Sequence, residues 1–243
     1  HIDDLARGAI AKFTNIHFPS CYDSKQRLLK QGEKNFRIFN LGAPQLDDIH
    51  EFISKEKKIK HDKIKNILLI FHPVLNEVKK IDKQFENILQ ACITFNVPIN
   101  FIYPNNDFGY KNILKIITNK KYASKINIHK NLERIAFLKL LKNTSVIVGN
   151  SSCGIIEAPS FKIPTINIGS RQNDRPRAKS VIDTNYNKKN IISSIKFAFN
   201  NKKFKLRLAK TKNVFYKKNS GYLICGVLNK VLNKKINFDM EKY

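Results

Sequence analysis

The chain predicts an α/β fold built on a doubly wound parallel sheet, and three observations carry that prediction. Strand-like and helix-like segments alternate from Ile16 to Ile168, which is the rhythm of βαβ units. Leu75, Val78, Ile81, Phe85, Ile88, Leu89 and Cys92 recur at three- and four-residue steps, marking a helix with one apolar face to lay on a sheet. Residues 149–177, GNSSCGIIEAPSFKIPTINIGSRQNDRPR, follow an apolar strand with a small polar turn and a helix start. A second apolar strand and a loop containing arginines come next.

In chain order, strands are expected at 16–18 and 36–41, before a turn favoured by Gly42 and Pro44. The run SKEKKIKHDKIKN that follows cannot be core, so a boundary falls between 41 and 65. Two strands and three helices before it are too few for a complete doubly wound unit. They read as the tail of a domain. Five strands are expected after it, at 67–72, 99–103, 126–128, 145–148 and 163–168, the size of one complete layer. The last quarter, 190–233, reads as consecutive helices, the first with Ile192, Ile195, Ala198 and Phe199 as its stripe. The expected division is 1–60, 61–218 and 219–243.

The chain has 243 residues, enough for a real core, and no apolar run approaches the roughly 20 residues of a membrane span. It opens on His1 and its one methionine is Met240, so the expectation is a piece of a longer protein. The four cysteines form no CxxC pair, which predicts neither a metal site nor a redox motif and fits a reducing cytoplasm. Cys153 lies in the polar turn, where either an activated thiol or a small packing residue is consistent with its position. The net charge of +26 is scattered with Asn and Ile along the whole chain. That scatter predicts a solvated surface and no specific nucleic-acid site.

Ligands of parallel sheets bind beyond the carboxyl ends of the strands. Those ends carry His72, the segment YPNNDFG, the turn Gly149, Asn150, Ser151, Ser152, Cys153 and Gly154, and the loop with Arg171 and Arg175. Small residues let a ligand approach the backbone, N–H groups at a helix start favour anions, and arginines pair with phosphate. Each residue also has a structural account. Ser151 and Ser152 suit a helix cap, Glu157 suits the helix N-terminal end, His72 suits a satisfied histidine, and the arginines suit an exposed loop.

With these motifs in hand, the chain resembles the UDP-N-acetylglucosamine 2-epimerase family, most closely its hydrolysing branch. The resemblance is carried in order by LGAPQLDDI at 41–49, FHPV at 71–74, YPNND at 103–107, NLERIAFLKLLKNTSVIVGN at 131–150, GNSSCGIIEAPSFKIPTINIGSRQ at 149–172 and RPRAKSVI at 175–182. It implies a GT-B architecture of two Rossmann-like lobes, with this chain supplying the end of the first and the whole second lobe. It implies that Gly149, Asn150, Ser151, Ser152 and Gly154 hold the diphosphate of a UDP-sugar, aided by Arg171 and Arg175. Glu157 would bind ribose hydroxyls and His72 would lie near the diphosphate or reacting sugar. IDDLARGAIAKFTNIHF resembles the stretch after the family's HGGE or HGGD motif, which makes Asp3, Asp4 and Arg7 candidate active-site residues.

The implied reaction removes UDP from C1 as a proton leaves C2, then hydrates the resulting glycal to release UDP and the C2-epimeric N-acetyl sugar. No cofactor or metal is implied, and a homo-oligomer is allowed. The isolated chain is expected to be inactive, since the family's catalytic acids come largely from the first lobe. Gly8 stands where the hydrolysing branch has histidine, and Asp174 where RQxGR has glycine, which would set a negative charge beside the phosphate loop. A GT-B glycosyltransferase and a basic, non-catalytic nucleic-acid-binding remnant are the alternatives.

Overall fold

The computed structural model describes residues 2–56, 63–119, 121–122 and 125–233, the first three by backbone alone. The helices are α1 (Ile2–Phe13), α2 (Tyr22–Lys30), α3 (Asp47–Lys55), α4 (Ile81–Ile93), α5 (Tyr110–Ile117), α6 (Arg134–Asn143), α7 (Cys153–Ile156), α8 (Ala158–Phe161), α9 (Lys188–Asn200), α10 (Lys202–Ala209) and α11 (Ser220–Leu232). The strands are β1 (Ile67–Ile70), β2 (Ile99–Ile102), β3 (Ile126–His129), β4 (Val146–Gly149), β5 (Thr165–Ile168) and β6 (Val181–Thr184). The chain divides into two compact units, one of residues 1–51 with 214–243 and one of residues 52–213.

In the larger unit the six strands lie in the order β3-β2-β1-β4-β5-β6, and every pairing is parallel. Each crossover therefore needs a helix, and the order reverses between β1 and β4. Alternate residues of the strands feed two cores. Ile67, Leu69 and Phe71 join Phe85, Ile88, Ile113, Ile195 and Phe199 on one face. Leu68 and Ile70 join Leu141, Ile147, Ala158 and Ile163 on the other. Side chains two apart share a face, so a strand covered on both sides must be apolar throughout, as β1 is.

Four details differ from the sequence expectation. The layer has six strands, not five, because VIDT at 181–184 also pairs, on the sheet edge where its residues are only partly buried. The apolar stripe of α4 begins at Ile81; Leu75–Lys80 is a separate 3-10 segment, and Leu75 is exposed. The stripe of α9 uses Ile191 in place of Ile192, which is only half-buried. The runs 16–18 and 36–41 do not form strands and meet only in one parallel bridge, His17 to Ile38. Residues 35–37 coil into a 3-10 turn there, and no neighbouring strand extends the ladder among the described residues.

Polar pairs help to hold the smaller unit. Glu33 is buried and takes bonds from His17 at 3.1 Å and Lys12 at 2.9 Å. The Lys12 ammonium holds that carboxyl below the usual carboxylate range. The Asp47 carboxylate accepts the N–H groups of Ser220 at 3.1 Å and Gly221 at 2.8 Å, closing the N-terminus of α11. Gly42 sits at φ 87 with no space for a Cβ, which would lie 2.6 Å from the Ser220 hydroxyl.

Candidate functional site

The reversal of strand order opens a crevice at the carboxyl ends of β1 and β4, which finish level with Ile70 opposite Gly149. A cavity of about 400 Å³ occupies it, lined among others by His72, Asn105, Lys130, Ser151, Ser152 and Arg171. Five of these were expected from the strand-end rule. Lys130 and its neighbour Asn131 were missed. They follow β3 directly, so the same rule applied to that strand would have found them.

The turn after β4 presents N–H donors to the cavity by a different means from a helix dipole. Helix α7 is one turn long, and Glu157 and Pro159 begin a second short helix at once. Proline removes a donor and clashes with the preceding turn, which breaks the helix here. The macrodipole of so short a helix is small. The N–H of Gly154 is already used, donating to the Ser151 carbonyl at 3.2 Å, and that of Cys153 reaches the Ser151 hydroxyl at 3.4 Å. The N–H groups of Ser151 and Ser152 have no acceptor among the described residues, and both residues line the cavity. They are the donors an anion would meet.

The two glycines of the turn are required by packing. A Cβ on Gly149, whose φ is 137, would lie 2.0 Å from the Ile70 carbonyl oxygen. A Cβ on Gly154 would lie 2.6 Å from Thr165 Cγ2. These residues let β4 and α7 press against the neighbouring strands, and neither lines the cavity.

His72 is buried at the cavity wall. Burial, with the nearby Arg171 guanidinium adding and Asp107 opposing, lowers its pKa to about 4, so the ring is neutral near pH 7. The Asn105 N–H donates to Nδ1 at 3.2 Å, which places the remaining ring proton on Nε2. The ring can therefore offer a hydrogen bond without carrying charge. Arg171 supplies the charge, and its Nη1 is held by the Asn150 carbonyl at 3.2 Å.

The other expected residues lie less directly on the cavity. Glu157 is paired with Arg134 at 2.6 Å and does not line the cavity wall. Arg175 and Asp174 are in the loop after β5, also outside the lining. Asp174 sits at φ 61, the left-handed conformation that glycine adopts most easily and aspartate tolerates. Its side chain is exposed. Burial pushes the Cys153 thiol up to about 12, which removes the activated-thiol reading and leaves the packing one. Arg7 is exposed on α1 in the smaller unit; Asp3 and Asp4 share that helix, but their side chains lie outside the described residues. Among the described residues no cluster of His, Cys, Asp or Glu could hold a metal ion, and no helix is long and apolar enough to cross a membrane.

Residues 1–229 match the family model for UDP-N-acetylglucosamine 2-epimerase. The UDP-N,N'-diacetylbacillosamine 2-epimerase (hydrolyzing) of Legionella pneumophila is 38% identical over 210 residues, covering 84% of this chain and 56% of its own. The UDP-N-acetylglucosamine 2-epimerase of Neisseria meningitidis is 34% identical over 208 residues, covering 84% and 55%. The chain thus spans about half the length of the curated relatives it matches. The crystal structure of the Neisseria meningitidis UDP-GlcNAc 2-epimerase bound to UDP-GlcNAc superposes with a TM-score of 0.72 at 17% identity, over 90% of this chain and 62% of that one. That likeness shows the fold, a Rossmann-like α/β sheet of the GT-B type. By the family match and the sequence identity together, the chain belongs to the UDP-N-acetylglucosamine 2-epimerase family.

Proposed function

We propose that this chain binds the UDP part of a UDP-N-acetylhexosamine in a hydrolysing 2-epimerase, which releases UDP and the C2-epimeric N-acetyl sugar. The observation that carries the reading is the crevice at the strand-order reversal. Two unpaired N–H groups, a guanidinium and a neutral imidazole donor converge there on one cavity. Such a set stabilises negative charge as it accumulates on a departing diphosphate. The turn Gly149, Asn150, Ser151, Ser152 and Gly154 would shape the diphosphate site, Arg171 and Arg175 would pair with the phosphates, and Glu157 would take the ribose hydroxyls once Arg134 yields.

Loss of the C2 proton needs a base, and among the described residues no carboxylate lines this cavity. The described crevice is thus equipped for the leaving group, while Asp3, Asp4 and Arg7 are assigned by family resemblance to the reacting sugar. The names of these relatives differ in the sugar and share UDP, the part this cavity suits. Free cysteines fit a reducing compartment, and we place the protein in the cytoplasm. Calorimetric titration with UDP tests the reading. Weak, saturable binding that Arg171→Gln reduces about tenfold is expected, with no turnover of UDP-N-acetylglucosamine by the 243-residue chain. Hydrolysis by that chain, abolished by His72→Ala, would overturn the division of labour; no UDP binding at all would overturn the reading itself.

A further inference from the structure

Asn150 is fully buried, and all four of its polar groups are committed to protein. Its backbone N–H donates to the Ile70 carbonyl at 3.1 Å. Its backbone carbonyl accepts from Gln172 Nε2 at 2.7 Å and Arg171 Nη1 at 3.2 Å. Its side-chain Oδ1 accepts the His72 N–H at 2.7 Å, and its Nδ2 donates to the His72 carbonyl at 2.8 Å. A side-chain amide has the donor and acceptor of a peptide group. Asn150 therefore continues the β1–β4 ladder for one residue after both strands have ended.

We propose that Asn150 is a positioning residue, fixing the His72 imidazole and the Arg171 guanidinium in a single geometry so that both reach one phosphate of the bound nucleotide together. The inference rests on the UDP-binding reading for the identity of that phosphate, and on the bonds above for the rest. Three segments that the sequence keeps far apart, the ends of β1 and β4 and the loop after β5, are tied at one residue, the first through its side chain and the last through its backbone carbonyl. Without it, His72 would be an ordinary loop residue beyond a strand end. With its backbone clamped on both sides, its ring stays where the Asn105 N–H can hold Nδ1. Arg171, Asp107 and Lys130 are the charged groups around that ring and cavity. Of the small polar residues, asparagine alone has both a donor and an acceptor at this reach. Aspartate would set a carboxylate oxygen against the His72 carbonyl.

The test is nitrogen NMR of the imidazoles in the full chain, paired with UDP titration. In the unchanged protein, His72 should show one tautomer, protonated at Nε2, from pH 8 to pH 5.5. In Asn150→Ala the ring should average between tautomers and titrate closer to the ordinary histidine range of about 6.5. UDP affinity should fall about tenfold. A merely structural role would lower stability and leave the tautomer and titration of the folded fraction unchanged, and that result overturns the proposal. Should Asn150→Ala not fold, Asn150→Ser, which can restore one of the two bonds, should show the same changes at smaller size. The unchanged protein decides independently of any variant: mixed tautomers there overturn the proposal. If UDP does not bind the unchanged protein, the nucleotide reading fails, while the ring measurement still judges the clamp.

Discussion

The neutral state of His72 makes a prediction about stability that needs no ligand. A histidine free in an unfolded chain titrates near 6.5, whereas in the fold burial and the Arg171 charge lower it to about 4. Between those values the unfolded chain binds a proton that the folded chain refuses. His72 therefore adds no penalty above about pH 7, and stability is lost as pH falls through 6.5 toward 4. From the two pKa values, the loss from this residue between pH 7 and pH 5 is about 2 kcal/mol. That is a large fraction of the stability of an ordinary domain.

Urea unfolding of the wild type and of His72→Gln at both pH values isolates the effect. Gln has no proton to take up, so the wild type should lose about 2 kcal/mol more than the variant on acidification. Other shifted groups cancel in this difference. His50, lowered by burial, is present in both proteins, as is Glu33, held down mainly by Lys12, whose contribution is lost only as pH falls below its ordinary carboxylate range. Equal acid sensitivity of the two proteins would refute the argument that His72 is buried as a neutral donor.

Two further substitutions test how the framework is built. Asp47→Ala removes the carboxylate that closes α11 and should cost about 1–2 kcal/mol, read as a lower urea midpoint with unchanged slope. Gly149→Ala sets a Cβ 2.0 Å from the Ile70 carbonyl at a φ of 137 and should cost about 3 kcal/mol or more, read as loss of soluble folded protein.

The layered fold was legible because its signal is periodic. Leu68 and Ile70 serve one core and Ile67, Leu69 and Phe71 the other, so β1 could only read as a continuous apolar run. Edge strand β6 carries no such signal, since only part of each residue is covered and Asp183 faces Arg177 and Asn167. The runs at 16–18 and 36–41 misled for the opposite reason. Their composition suits a strand, but pairing is a tertiary event, and one bridge is all that forms. At the site, the residue types in the turn were visible in the sequence, while their division of labour was not. Ser151 and Ser152 differ from Gly149 and Gly154 only in which N–H groups and which Cβ positions the neighbouring strands leave open.

That division bears on how the crevice handles charge. A site relying on a long helix dipole would hold an anion through a field fixed by backbone alone. Here the helix after the turn is a single turn, so the field must come from Arg171 and Lys130 and the remaining attraction from individual donors. Donors on separate strands act together only if the strands cannot shift against one another, and an error of about 1 Å in placement is enough to weaken such a site. The fold meets that requirement with packing at Gly149 and polar ties at Asn150, adjacent residues at the end of β4. Exposed lysines farther than a Debye length from the crevice are screened from it, so the scattered net charge of +26 would add little to the binding proposed here. Under the proposed reading, local geometry at the strand-order reversal, and not the overall charge of the chain, would set the preference for a diphosphate.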